Sequence, residues 1–128
     1  MTKNEVGSVI LRIVLGITFF IHGLDKFQAG IGNIAGYFDS LGIPGFLAYI
    51  VALIELVGGI ALILGIGTRI ISALIAIIML GAIFTAKLSL GFLDGYELDI
   101  ALLAMSIYLI LADRTPFSLD YQIAAKSK

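Results

Sequence analysis

Apolar positions in this chain do not alternate with polar ones. They run on in long segments, a pattern that argues for membrane crossing over a soluble core. Four spans are read from it: 6–26 (VGSVILRIVLGITFFIHGLDK), 45–66, 69–92 and 97–113 (ELDIALLAMSIYLILAD). The expected fold is all-α, an integral membrane four-helix antiparallel bundle forming one domain over 1–128. A helix rises 1.5 Å per residue, so the 17 residues of the fourth span reach only about 25 Å against a hydrocarbon layer of about 30 Å. Local thinning or cover from a partner is expected there. The first span reads as a true crossing and not a cleaved leader. Arg12 interrupts it and no small-x-small site follows.

The connections carry their own patterns. In QAGIGNIAGYFDSLGIPG, residues 28–45, Ile31, Ile34, Phe38 and Leu41 recur at helical spacing opposite Asn33 and Asp39. That predicts a short interfacial helix between the first two spans, broken by Gly42 and Pro44. The GIGTR turn suits a glycine C-cap. It fails as a phosphate loop, because Ile70 stands where the last glycine would be and no strand precedes it. Residues 114–128 turn polar after Pro116 and read as a tail. Lys3, Arg69, Arg114, Lys126 and Lys128 fall on one side if the spans alternate, against Lys26 and Lys87 on the other. The positive-inside rule then places both termini in the cytoplasm, for a multi-pass protein of the plasma membrane.

Composition agrees: of 128 residues, 60% are hydrophobic and only 13% charged. Mean hydropathy is +1.12. Too few polar residues are left to coat a soluble domain of this size. A net charge of −1 gives no hint of nucleic acid. With no cysteine there is no disulfide framework, thiolate metal site or CxxC pair, so any redox electrons pass through something other than the chain's own thiols. One histidine without cysteine makes no metal or haem set, and no intrinsic cofactor is expected.

Against this background the polar residues inside the spans stand out. Glu55 lies near the middle of the second span and Arg12 about six residues into the first. A charge at the bilayer centre costs on the order of 3 kcal/mol on insertion scales. Glu55 is therefore expected to pair with Arg12 or to stay protonated. His22, Asp25, Lys26, Lys87, Glu97 and Asp99 gather near the opposite ends of their spans, suggesting an outward-opening polar cup. Arg12, Gly16, Phe19, Gly23 and Lys26 share one face of the first helix. Glu97, Ala101, Ala104 and Tyr108 are read as the inward face of the fourth, and Ser72, Ala76, Met79 and Ile83 as that of the third. Gly16, Gly23, Gly58 and Gly59 are read as helix-contact positions, with Arg12 a candidate neighbour of the last two. Arg12, His22, Lys26, Glu55, Lys87 and Glu97 are thus the candidates for ligand binding or proton relay, while a purely structural Glu55–Arg12 lock remains open.

The order R-x3-G-x6-G-x2-K, then a G-I-P approach, E-x2-G-G-x5-G-x2-T-R, a small-residue third helix, E at the head of the fourth and a final S-L-D resembles the DoxX-like family of small four-helix membrane proteins. Its matching positions are Arg12, Gly16, Gly23, Lys26, Pro44, Glu55, Gly58, Gly59, Gly65, Thr68, Arg69, Glu97 and Ser118 to Asp120. The resemblance implies an association with membrane redox systems such as thiosulfate:quinone oxidoreductase. A quinone or a small sulfur compound is then the expected ligand of the cup. The alternatives are a non-catalytic membrane anchor for an oxidoreductase partner and a small transporter or proton path. A lipid membrane is the expected surrounding, an oxidoreductase and further copies of the chain the candidate protein partners.

Overall fold

The structure, a computed structural model, describes residues 2–112 and 118–126, and no strand occurs among them. Helix α1 spans Lys3–Gln28 and starts on a capping box: Thr2 Oγ1 accepts from the Glu5 amide at 3.1 Å and Glu5 Oε1 from the Thr2 amide at 2.9 Å. The connection that follows holds α2, Ile31–Ser40. Asp39 Oδ1 then accepts from the Gly45 amide at 2.9 Å and ties α2 to the start of α3, Phe46–Leu64. Helix α4 is regular over Thr68–Ala82, then loosens into a π-helical turn, Ile83–Lys87, and a 3-10 turn, Leu88–Leu90. The backbone leaves helical geometry at Leu93–Gly95 before α5, Glu97–Leu111. A last helix, α6, covers Leu119–Lys126. Asp113, Arg114, Pro116 and Lys128, used above for the end of the fourth span and its charge bias, lie outside the described residues.

Among the described residues, three helical stretches are long and apolar enough to cross a membrane: Lys3–Gln28, Phe46–Leu64, and Thr68–Leu90 with its turns included. Their outward faces carry the apolar residues that a soluble protein would bury, such as Ile10, Ile17 and Ile21 on α1, Leu53 and Val57 on α3, and Ile77 on α4. Only lipid satisfies that arrangement on so many sides at once, so the chain is a multi-pass membrane protein. Helix α5 has 15 residues, about 22 Å at 1.5 Å per residue.

Helix α1 packs along α3, α4 packs against both α3 and α5, and α1 also reaches α5. The α1–α3 seam is built on glycine. A Cβ placed at Gly16 would lie 2.8 Å from the Gly59 carbonyl oxygen, one at Gly23 2.6 Å from the Leu56 nitrogen, and one at Gly59 2.5 Å from the Phe20 nitrogen. As the α1 position rises from 16 to 23, its α3 neighbour falls from 59 to 56, so the two helices run antiparallel at near backbone contact. Gly58 faces Ile71 of α4, while Gly59 meets Gly16 and Phe20 of α1. Beneath the seam lies a core of Leu15, Phe19, Leu62, Ile75, Met79 and Leu102. The α4 stripe of Ser72, Ala76 and Met79, continued by Ile83, is buried. Helix α5 is rotated from the expected face: Asp99, Leu102, Ser106 and Leu109 are buried, while Ala101, Ala104 and Tyr108 are exposed. The large Leu102 and Leu109 side chains fill the core where alanines would leave voids, and this sets the rotation.

A methyl group at Gly59 would have to push two backbones apart. Gly59→Ala is expected to cost about 1–3 kcal/mol, read as a lower thermal midpoint in detergent. Gly81→Ala, on an exposed helical position with nothing within 4 Å of its Cβ, serves as the comparison and should be neutral or slightly stabilising.

Candidate functional site

Glu55 is the tenth of the nineteen residues of α3, at its midpoint. Its side chain is 3% exposed and both its oxygens are held by Lys26 Nζ, Oε1 at 2.9 Å and Oε2 at 3.0 Å. The expected partner was Arg12, and the structure corrects this. Side chains on a helix lean toward its N-terminus. On antiparallel helices Lys26 therefore leans back into the bundle and Glu55 leans up toward it. Arg12 leans the other way, and one of its terminal nitrogens lies 2.8 Å from where a Cβ on Gly65 would sit. Gly65 is ten residues from Glu55, or about 15 Å along the helix.

Lys26 keeps a quarter of its side chain exposed. An ammonium carries three donors, and two are spent on Glu55. His22, one turn before Lys26, packs edge-on against buried Phe19 at a centroid distance of 5.9 Å and lies within electrostatic reach of Glu55. The structure thus brings His22, Lys26 and Glu55 together. Glu97 accepts a long hydrogen bond, 3.4 Å, from the Asp94 amide within its own turn. Lys87 ends the π-helical turn, and no hydrogen bond or ion pair among the described residues joins it or Glu97 to the Lys26–Glu55 pair.

Arg12 belongs to a second constellation at the other end of the bundle. Helix α3 closes on Gly65 in the left-handed conformation (φ 74°), and a Cβ there would overlap Ser118. Asp120 of α6 accepts from the Gly67 amide at 2.9 Å and the Thr68 amide at 3.0 Å, capping α4 from across the chain. Its own amide returns a bond to the Gly65 carbonyl at 2.9 Å. The fully buried guanidinium of Arg12 lies within electrostatic reach of Asp120. Sequence reasoning quoted Asp120 only as part of a motif. The signal available was its pairing with a glycine turn that has no side-chain cap of its own. Asp99, named above among the polar ends of the spans but not among the candidates, is buried on the inward face of α5. Its i, i+3, i+7, i+10 spacing with Leu102, Ser106 and Leu109 would have marked that face.

Residues 7–88 match the DoxX family. The chain belongs to that family. It is 45% identical over 94% of its length, and 90% of the relative's, to a Bacillus subtilis protein named "Putative oxidoreductase CatD". It is 28% identical over 93% of its length, and 82% of the relative's, to "Uncharacterized membrane protein Rv3486" of Mycobacterium tuberculosis. A shorter match, 35% identical over 52% of this chain and 50% of the relative, is to "Inner membrane protein YqjF" of Escherichia coli. No solved structure matches.

Two stability measurements follow from this geometry. Lys26→Met leaves a buried carboxylate without its cation and is expected to cost about 3 kcal/mol, the low end for a buried pair because Lys26 is partly exposed. The double variant Lys26→Met/Glu55→Gln should recover about 1–3 kcal/mol of the summed single losses, a coupling read from detergent unfolding. Purely additive losses would mean the pair does not act as a unit. At the other end, Asp120→Ala removes both amide acceptors of the α4 cap and should cost about 1–2 kcal/mol, with Asp120→Asn in between.

Proposed function

We propose that this protein is a multi-pass component of a membrane redox system in which His22, Lys26 and Glu55 receive the polar head of a quinone or a small sulfur compound. The observation that carries this reading is the state of Lys26: charge-matched by buried Glu55, held in place by two hydrogen bonds, and still partly open with one donor in hand. A quinone carbonyl or a sulfur oxyanion is an acceptor that suits that donor, and His22 offers a second polar atom one helical turn away. The oxidoreductase in the name of the Bacillus subtilis relative supports the link to redox chemistry. With no cysteine, the chain's part is to bind and orient its ligand, and a partner oxidoreductase of the same membrane supplies or takes the electrons.

In this reading α1, α3, α4 with its following turns, and α5 cross the plasma membrane as an antiparallel four-helix bundle. Helix α2 lies at the outer surface, its apolar Ile34 and Phe38 half-buried and its Asn33 and Asp39 exposed. Both termini face the cytoplasm, in line with Lys3 and Arg69 at that end. A second reading, in which the pair only locks α1 to α3 and the chain serves as a membrane anchor, draws on the same bidentate geometry. The ligand decides between them.

The test is equilibrium binding of a radiolabelled short-chain menaquinone and of thiosulfate to the purified protein in detergent. Lys26→Met and His22→Ala are each expected to weaken binding of whichever compound the wild type takes by about tenfold, the worth of one hydrogen bond. Wild type that binds neither compound, or variants that bind as well as wild type, would leave the anchor reading in place.

A further inference from the structure

We propose that Asp99 is a second functional carboxylate, a binding site for one small monovalent cation of the sodium type, separate from the Lys26–Glu55 site. Asp99 is the third residue of α5 and is 8% exposed, on the same face as the core residues Leu102 and Leu109. Its Oδ2 is sealed from the surface and has no hydrogen-bond partner. Lys26–Glu55 is the only ion pair among the described residues, and none of their side-chain cations pairs with Asp99.

The ionisable groups on the surrounding elements do not supply one. On α1 the groups toward this end are His22, Asp25 and Lys26, and the Lys26 ammonium is committed to Glu55. The one ionisable residue of α4, Arg69, donates to the Ala112 carbonyl at the far end of α5. Lys87, Asp94 and Tyr96 occupy the turns before α5 and Glu97 opens it, and none of them hydrogen-bonds to Asp99. The N-terminus of α5 offsets part of a negative charge there, yet no backbone amide donates to Oδ2.

A carboxylate oxygen sealed from water without a partner is expensive, and an ionisable residue of this kind inside a membrane protein is a candidate ion site. Glu55 meets the requirement with a lysine. Asp99 has to meet it with something that can come and go. The backbone that leads into α5 departs from helical geometry at Leu93–Gly95, four residues ahead of Asp99, and Gly95 is buried. Broken helical backbone next to a buried acid is a recurring way of holding small cations in membranes. A divalent metal is a poor match, because no group of three His, Cys, Asp or Glu residues among those described could hold one.

Dicyclohexylcarbodiimide, an apolar reagent that couples to carboxyl groups carrying a proton, distinguishes the two acids. The full-length protein in sodium-free detergent buffer should be labelled at Asp99 at least tenfold more than at Glu55, located by peptide mass. Asp99→Asn should lose the label and keep the fold, the change being isosteric. Lys26→Met should make Glu55 reactive, which shows that the reagent reaches the interior. Labelling suppressed by added sodium supports the cation site, and labelling indifferent to sodium overturns it. Wild-type protein unlabelled at Asp99 in sodium-free buffer, or labelled at Glu55 instead, overturns the proposal. None of these readouts involves the ligand of Lys26, so this inference and the redox reading can fail independently.

Discussion

A charge buried in an apolar bundle has to be neutralised where it stands, and the architecture of this protein follows from how that is done. Glu55 sits at the midpoint of a helix whose outward residues face lipid, too deep for water to serve it. A lysine at the end of the neighbouring helix reaches back to it and donates to both oxygens. The long alkyl stem of Lys26 crosses apolar surface while its ammonium remains partly open, so the pair is anchored on one side and accessible on the other. A fully buried arginine in that place would have given rigidity without access.

That contact depends on how close α1 and α3 lie. Gly16, Gly23 and Gly59 remove every side chain from the line where the two backbones meet, and Cβ atoms there would collide with main chain rather than with movable side chains. Such a seam has one good register, because sliding it by a residue would drive a branched side chain into a carbonyl. The register then determines which cation faces Glu55. The Asp120 cap closes the opposite end, tying α6 to the Gly65–Thr68 turn and covering Arg12. Glycine close packing and a cross-chain cap together hold fixed the helices that carry the ionisable groups.

Much of this was legible in the sequence. The long apolar runs predicted helices that cross a membrane, and the 3.6 periodicity of α1 and α4 identified faces that are buried: Arg12, Gly16, Phe19 and Gly23 on one, Ser72, Ala76, Met79 and Ile83 on the other. Depth counting also offered Glu55 either a cation from the first helix or a protonated state. Its choice of cation was wrong, because depth along the axis ignores the lean of side chains toward the N-terminus, which on antiparallel helices brings Lys26 and Glu55 together and carries Arg12 away. Helix α5 was misread for another reason. Ala101 and Ala104 offered a small-residue stripe like that of α4, but the core beside Met79 called for the volume of Leu102 and Leu109. Asp120 was the least accessible to local reading, since its role depends on a turn fifty residues away.

The two constellations differ in a way that separates structural from chemical roles. At the Asp120 end, the carboxylate accepts from two backbone amides and the guanidinium of Arg12 is sealed from the surface. At the Lys26 end, Lys26 retains a donor, His22 stands beside it, and nearby Asp99 has an oxygen that nothing in the fold satisfies. Stability alone would favour apolar residues in such positions, since an apolar side chain of similar volume avoids the desolvation that a buried acid must overcome. Two acids kept in the bundle, one matched by a partly open lysine and one left unmatched, are better explained by traffic of small charged or polar species than by the needs of the fold. Under the proposed function, that traffic would be the contribution of a membrane component without thiols: a place to hold a ligand's polar head and a small cation, with the electrons carried by a partner.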